Sequence, residues 1–347
     1  MFENKGRTEI ENLGEFGLIE HLTNAFKIQN DTSVKGIGDD AAVLNFGNKR
    51  TLISTDLLLE GVHFDLAYTP LKHLGYKAVQ VNLSDIYAMN GTASQVTISI
   101  GISNRFSLEA VEELYAGASL ACEKYKIDLV GGDTSSSKQG LVISVTSIGY
   151  AEEKDICYRN TANEGDLICV SGDLGAAYIG LQLLEREKRI YMENPNIQPD
   201  LEGKDYIVER QLKPESRKDI VEILKSIHVK PTSMIDVSDG LSSDILHICR
   251  QSKKGCNLYE EKIPIDPMTY DTAREFGIDP TVCALNGGED YELLFTVAQA
   301  DFEKIRHNPD ISIIGHITEE SAGTNLISKS QIVHPIQAQG WNAFKKG

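Results

Sequence analysis

Apolar residues follow two different periods in the first half of the chain. Apolar positions three and four residues apart predict helices at 11–28, 70–90 and 108–126. Short apolar runs rich in β-branched residues predict strands at 41–46, 51–54, 95–101, 127–130 and 141–150. Strands and helices are mixed without a long uniform strand–helix–strand series. The pattern therefore predicts an α+β or mixed α/β fold.

The second half shows the same mixture after a polar stretch at 151–164. Predicted strands cover 166–171, 233–237, 293–297 and 311–317. Predicted helices cover 174–187, 205–212, 216–227 and 241–250. Because domain boundaries fall in polar connecting segments, we expect an N-terminal domain of residues 1–155 and a C-terminal domain of residues 156–347.

Composition and charge restrict the class of protein and the partners it suits. The chain has 347 residues, of which 41% are hydrophobic and 24% charged, and this is typical of a globular protein of about two domains. A net charge of −17 argues against binding to nucleic acid or to an anionic membrane. No apolar run follows Met1, so neither a signal peptide nor a membrane span is indicated and we expect a cytoplasmic protein.

Six cysteines are spread through the chain without a C-x-x-C pair or zinc-ligand spacing. Cysteines in this arrangement are typical of free, partly buried thiols. They favour a reducing compartment, in agreement with a cytoplasmic protein.

Candidate chemistry is concentrated in five short acidic segments next to glycine or serine. These segments are 36–42, 54–56, 82–85, 131–134 and 235–240. Each alone could be an ordinary turn or helix cap, since Asp and Gly are what turns require. Five together, several at predicted strand ends, predict a polyanionic pocket that needs cations. Hard oxygen ligands suit Mg²⁺, and Mg²⁺ suits phosphates.

The sequence lacks the usual loops that hold a nucleotide directly. No segment matches the P-loop pattern G-x-x-x-x-G-K-[ST], and Gly36-x-Gly38 is too short for a dinucleotide fingerprint. We therefore expect any nucleotide to be held through metal ions. Asp39 and Asp40 point to opposite sides of an extended chain, so one suits a ligand and the role of the other stays open. Asp239 could also serve as a helix N-cap.

Seven segments, taken in order, carry a resemblance to a known family. They are GIGDDAA (36–42), STD (54–56), GVHF (61–64), NLSDIYAM (82–89), VGGDT (130–134), IDVSDGL (235–241) and GGEDYEL (287–293). The series resembles the thiamine-monophosphate kinase family over essentially the whole chain. The resemblance implies the two-domain aminoimidazole ribonucleotide synthetase-like fold, an N-terminal mixed sheet with helices and a C-terminal α/β domain.

The resemblance also implies an activity and a set of site residues. It implies ATP-dependent phosphorylation of thiamine monophosphate to thiamine diphosphate by a homodimer, through direct in-line transfer assisted by several Mg²⁺ ions and without a covalent nucleophile. The implied magnesium ligands are Asp40, Ser54, Thr55, Asp56, Asp85, Asp133, Asp236 and Asp239. Gly132, Arg159 and Ser238 are implied to contact ATP, and His63, Glu289 and Trp341 to line the thiamine phosphate site.

Some of these residues have simpler explanations on their chemistry alone. Arg159 could be a surface arginine, although a guanidinium matches phosphate geometry, and His63 could be a packed or solvent-facing histidine. Trp341 could be a packing residue, although its indole face would attract a cationic thiazolium ring. Glu289 could pair with that cation or bond the pyrimidine. The role of Tyr125 stays open between nucleotide contact and helix-end packing.

Three other functions compete with that of a kinase. A hydrogenase-maturation dehydratase of the same superfamily would want a C-terminal cysteine, and a selenophosphate synthetase would want a reactive N-terminal cysteine or selenocysteine. The chain ends at Gly347 without a cysteine near it, and its first cysteine is Cys122, so both are disfavoured. A non-catalytic metal- or nucleotide-binding protein remains the alternative from a different class. The apolar strand 96–100 suits a buried core strand better than a subunit interface.

Overall fold

A computed structural model describes residues 21–35 and 43–338. The chain divides into two units. The first consists of Met1–Ile86 and Gly91–Glu153, and the second of Tyr87–Asn90 and Lys154–Gly347. Both contain helices and a β-sheet, so the predicted mixture of α and β elements is confirmed. Most of the predicted first helix, 11–28, lies outside the described residues.

The first unit is built on a four-stranded sheet. The described strands of this unit are β1 (Ser33–Lys35), β2 (Val43–Leu44), β3 (Arg50–Leu59), β4 (Thr92–Ile102), β5 (Asp128–Ser136) and β6 (Val142–Ala151). Strands β1 and β2 form a separate pair, and the sheet has the order β3-β6-β4-β5. Neighbours pair antiparallel except β4 with β5, which run parallel.

Two helices, α1 (Leu71–Ala88) and α2 (Leu108–Tyr125), accompany this sheet. They approach each other closely at two glycines, since a Cβ on Gly75 would lie 1.8 Å from the Leu114 carbonyl oxygen and one on Gly117 1.8 Å from that of Lys72. Alternate residues of β4, such as Val96 and Ile98, are buried, which confirms that 96–100 is a core strand.

The second unit is built on a seven-stranded sheet. Its strands are β7 (Leu167–Ser171), β8 (Ser233–Asp236), β9 (Gly255–Tyr259), β10 (Leu293–Val297), β11 (Ile311–Thr318), β12 (Thr324–Ile327) and β13 (Val333–Pro335). The order is β13-β12-β9-β11-β7-β10-β8. Among its described strands, β9 and β12 pair parallel and the other neighbours pair antiparallel. An antiparallel sheet of this kind fits the α+β side of the predicted class.

The helices of the second unit follow in chain order. They are α3 (Ala176–Glu193), α4 (Asp205–Leu212), α5 (Lys218–Ser226), α6 (Leu241–Ser252), α7 (Pro267–Glu275), α8 (Pro280–Asn286) and α9 (Phe302–Ile305). One apolar core joins the sheet to α6 and contains Ile168, Leu258 and Ile245. A second joins α3, α4, α7 and α8.

Several predicted boundaries were wrong. Strand β3 is ten residues long and β5 is nine, so Asp56 and Asp133 lie inside strands rather than at strand ends. The predicted strands were too short because polar residues interrupt their apolar runs. A half-exposed strand nevertheless accepts hydroxyl and carboxylate side chains on one face. Strands β1, β9, β12 and β13 and helices α7, α8 and α9 were not predicted. They are short, and periodicity is weakest over short elements.

None of the helices in the described part of the chain combines the length and the apolar character needed to cross a bilayer.

Candidate functional site

The second and third acidic segments meet where β3 packs on α1. Asn82, which is fully buried, accepts a 3.0 Å hydrogen bond from the Asp56 backbone N–H through Oδ1. Its backbone carbonyl accepts a 2.8 Å bond from the Ser147 hydroxyl of β6. The Ser54 hydroxyl donates to Asp85 Oδ2. Asn82 therefore fastens the helix to the sheet and sets Asp85 beside the face of β3 that carries Ser54 and Asp56.

The electrostatics of this cluster favour a cation. Burial raises the pKa of Asp56 from 3.8 to about 6, and repulsion from the Asp85 carboxylate adds to the rise. Two carboxylates that disfavour each other's charge are stabilised by a shared positive ion. Together with the Ser54 hydroxyl they offer hard oxygen donors, the set that Mg²⁺ prefers. The chemistry of these residues thus fits the predicted metal.

Two other predicted ligands of the first unit lie elsewhere on the same sheet. The Thr55 hydroxyl donates to the Val145 carbonyl oxygen at 3.0 Å, and its side chain alternates with Ser54 and Asp56 to the opposite face. Asp133 is exposed on β5, three strand spacings or about 14 Å from β3. Neither is brought to the cluster at Asp85. Among the described residues no group of three His, Cys, Asp or Glu side chains could hold a metal ion.

Gly132, a predicted ATP contact, occupies a position that accepts no side chain. A Cβ there would lie 2.0 Å from the Ile98 carbonyl oxygen of the paired strand β4. The residue is exposed on its other side. The close approach of β4 explains why glycine is required here, without any need for a ligand. The backbone beside Asp133 stays exposed.

The raised pKa of Asp56 predicts a pH dependence of the metal-free protein. The folded state keeps Asp56 protonated up to about pH 6, whereas the unfolded chain releases this proton near pH 3.8. The stabilising contribution is therefore complete below 3.8 and is lost as the pH rises through 6. Melting temperatures in EDTA, measured from pH 3.5 to 7, should fall for wild type relative to Asp56→Asn over that window. Asp31→Asn, at an exposed position, is the matched control. A wild-type minus Asp56→Asn difference that does not change with pH would contradict this.

In the second unit, the segment 235–240 lies directly against the loop 287–292. The backbone N–H of Glu289 donates to the Ser238 carbonyl at 2.8 Å, and that of Tyr291 to the Val237 carbonyl at 2.9 Å. Val237 N–H donates in turn to the Glu292 carbonyl at 2.7 Å. The structure thus brings together Ser238, predicted to contact ATP, and Glu289, predicted to contact the second substrate.

Asp236 and Asp239 lie at the junction of β8 and α6. Asp236 is buried at the end of β8. The N-cap of α6 is Gly240 and no side chain among the described residues caps the helix, so the interpretation of Asp239 as an N-cap was wrong. Its backbone N–H donates instead to Asp244 Oδ2 at 3.3 Å. Asp239 therefore keeps a carboxylate that the helix end does not use.

Sequence reasoning missed Asp244. Burial raises its pKa to about 8, with repulsion from Asp236 and Asp239 adding to the rise and the Asp239 N–H and Arg159 opposing it. The side chain is buried on α6 in line with Leu241, Ile245 and Ile248. A carboxylate on the apolar face of an amphipathic helix was the available signal. Charge interactions link Asp244 to the predicted ligands Asp236 and Asp239 and to the predicted ATP contact Arg159.

The other residues singled out from the sequence are His63, Tyr125, Asp39, Asp40 and Trp341. His63 is half-buried, and its Nδ1 accepts a 3.0 Å hydrogen bond from the Leu59 N–H, so in the neutral ring the proton is on Nε2. Tyr125 is buried at the end of α2, which favours the packing role. Asp39, Asp40 and Trp341 lie outside the described residues.

Known proteins resemble this chain over nearly its whole length. Residues 38–151 match the family described as AIR synthase related protein, N-terminal domain. A thiamine-monophosphate kinase of Aquifex aeolicus (strain VF5) is 36% identical over 337 residues, covering 96% of this chain and 99% of that protein.

Solved structures of thiamine-monophosphate kinases also resemble this chain. A thiamine-monophosphate kinase from Stenotrophomonas maltophilia K279a superposes with a TM-score of 0.77 at 29% identity, covering 92% of this chain and 97% of that one. AaThiL complexed with AMPPCP and TMP gives a TM-score of 0.73 at 32% identity, covering 98% of this chain and all of that one. The predicted fold class is thereby confirmed.

Proposed function

The chain belongs to the thiamine-monophosphate kinase family, and on that premise we propose that it transfers a phosphoryl group from ATP to thiamine monophosphate, giving thiamine diphosphate and ADP. The observation that carries the proposal is full-length similarity to thiamine-monophosphate kinases, one of them in complex with AMPPCP and TMP. The clustering of motif residues in each unit supports it.

We propose Mg²⁺ as the metal of this reaction. Asp56, Asp85 and the Ser54 hydroxyl would hold it in the first unit, and Asp236 and Asp239 in the second. Asp40 and Asp133 stay predicted ligands, whereas Thr55 lies on the opposite face of β3 and its hydroxyl already donates to the Val145 carbonyl. When bound, Mg²⁺ supplies positive charge to phosphate oxygens. The guanidinium of Arg159 would bind ATP phosphates through paired hydrogen bonds, with Gly132 and Ser238 beside the nucleotide. His63, Glu289 and Trp341 are proposed to bind thiamine monophosphate.

We propose that the transfer is direct and in line, from ATP to the substrate phosphate. Burial raises the pKa of Cys122, Cys157 and Cys283 to about 12, so these side chains are thiols and poor nucleophiles at neutral pH. The residues proposed for the site are suited to binding and orienting two anionic groups, which is most of what phosphoryl transfer requires. All six cysteines are free and buried, which also supports a cytoplasmic location.

The test is incubation of the protein with ATP, Mg²⁺ and thiamine monophosphate, followed by quantification of ADP and thiamine diphosphate. Equal amounts of both products are expected, with neither formed when thiamine monophosphate is omitted. Tight binding of ATP and Mg²⁺ without thiamine diphosphate would favour a non-catalytic binding protein and overturn the proposal. ADP formation without the second substrate would indicate plain ATP hydrolysis.

We propose a homodimer formed through the outer face of the four-stranded sheet. Ile53 and Leu57 of β3 are 69% and 51% exposed, whereas their neighbours on the other face are half-buried or, at Leu58, buried. A second copy covering this face would remove both from water, at roughly 25 cal/mol per Å² of apolar surface.

Ile53→Asp is therefore expected to convert the dimer to a monomer. Sedimentation equilibrium should give twice the 38.2 kDa chain mass for wild type and the single mass for the variant. Met192→Asp, which alters a 72% exposed apolar side chain of the second unit, is the control and should remain dimeric. A dimeric Ile53→Asp would place the interface elsewhere.

A further inference from the structure

The loop 287–292 has an unusual backbone that its surroundings hold in place. Glu289 and Tyr291 have φ angles of 59° and 52°, in the left-handed region that side-chain-bearing residues seldom occupy. Such residues persist only where neighbouring structure fixes them, and they are concentrated at functional sites. Glu289 and Tyr291 alternate along the chain with Asp290 and Glu292. The side chains of Asp290 and Glu292 therefore turn inward.

The inward side chains are two buried carboxylates. Asp290 accepts hydrogen bonds from the Gly175 N–H at 2.8 Å and the Ala177 N–H at 3.3 Å, at the start of α3. Glu292 is bound by Arg210 at 3.0 Å and by Arg217 at 2.6 Å. These contacts leave Glu289 half-buried beside Ser238, on a backbone whose path is set from both sides.

The side chain of Glu289 is oriented from α4. Gln211 is buried, and its Nε2 donates a 3.0 Å hydrogen bond to Glu289 Oε2. Its chain neighbour Arg210 lies 3.9 Å from Asp290 and is bound to Glu292, so α4 is fixed to the same loop that carries Glu289. An amide can orient a carboxylate without adding a charge of its own, whereas a lysine or arginine would neutralise it.

We propose that Gln211 is a positioning residue that fixes the rotamer of Glu289 for the thiamine moiety of the substrate and so contributes to substrate specificity. The inference rests on the proposed function. The oriented carboxylate suits the cationic thiazolium ring of thiamine monophosphate, which ATP lacks, and its separate aminopyrimidine ring, which in ATP is fused into a purine. Loss of the hydrogen bond from Gln211 should therefore weaken the binding of thiamine monophosphate and leave the binding of ATP unchanged.

The test is a double-mutant cycle with Gln211→Met and Glu289→Ala, assayed for both substrates. Methionine keeps the length of the side chain and removes the donor. Gln211→Met should raise the KM for thiamine monophosphate about tenfold, the usual worth of a hydrogen bond to a charged group, and leave the KM for ATP within twofold. In the Glu289→Ala background it should have less than a twofold effect, because the group it orients is gone.

Three results overturn the inference while wild type forms thiamine diphosphate. They are an equal rise of both KM values, multiplicative effects in the double variant, and a wild-type KM for thiamine monophosphate in Glu289→Ala. Should Gln211→Met fail to fold, Gln211→Asn takes its place in the cycle, since it withdraws the amide by one methylene. A wild-type protein that forms no thiamine diphosphate overturns the proposed function, and the inference with it.

Discussion

Asp85→Asn should lower kcat for thiamine diphosphate formation by about 10²–10³-fold, the usual loss when one preorganised electrostatic group is removed from a transition state. The variant keeps the size of the side chain and removes one of the two charges that would hold Mg²⁺ at the β3–α1 cluster. Because Asp85 contributes to the raised pKa of Asp56, its neutralisation also relieves repulsion in the metal-free fold. The melting temperature in EDTA should therefore stay unchanged or rise.

The measurement pairs kcat at saturating ATP and thiamine monophosphate with the melting temperature in EDTA. A titration with Mg²⁺ should show that the variant needs a higher concentration for half of its remaining activity. Asp31→Asn, an exposed aspartate of the same unit, should behave as wild type in all three measurements. Parallel losses of activity and stability in Asp85→Asn would instead identify a structural carboxylate.

Glu292→Gln should destabilise the second unit by about 3 kcal/mol or more. The Glu292 side chain is 2% exposed and is shared by Arg210 and Arg217, each 13% exposed. A buried ion pair adds little compared with a well-packed apolar core, but removing one partner leaves the other charges buried and uncompensated, which costs about 3–5 kcal/mol. The Ser171 hydroxyl, which donates to Glu292 at 2.5 Å, would also face an altered acceptor.

Asp219→Asn provides the matched control, since it removes a carboxylate from the same Arg217. Asp219 is 54% exposed, and an exposed ion pair contributes about 0–1 kcal/mol. Urea unfolding of both variants should show a large shift of the midpoint for Glu292→Gln and a small one for Asp219→Asn. Equal shifts would mean that burial of the Arg210–Glu292–Arg217 group is not what determines its stability.

The position of individual residues within elements was predicted unevenly. Asp85 was expected inside a helix because apolar spacing continues on both sides of it, and it lies inside α1. Asp56 and Asp133 were expected at strand ends because polar residues interrupt the apolar runs, and both lie inside longer strands. A strand with one exposed face tolerates such interruptions, and a single sequence does not reveal which face is exposed.

The sequence by itself determined the family, through seven short motifs whose order and spacing match along the whole chain, and the mixed α/β class, through local apolar periodicity. Each motif and each apolar period is a property of residues that are close together in the chain. Only the tertiary structure decided that Ser54 reaches Asp85, that Ser238 meets Glu289, and that Gln211 orients that glutamate. These partners are tens of residues apart in the chain. Long-range contacts of this kind arise from packing of whole elements, which local periodicity does not encode.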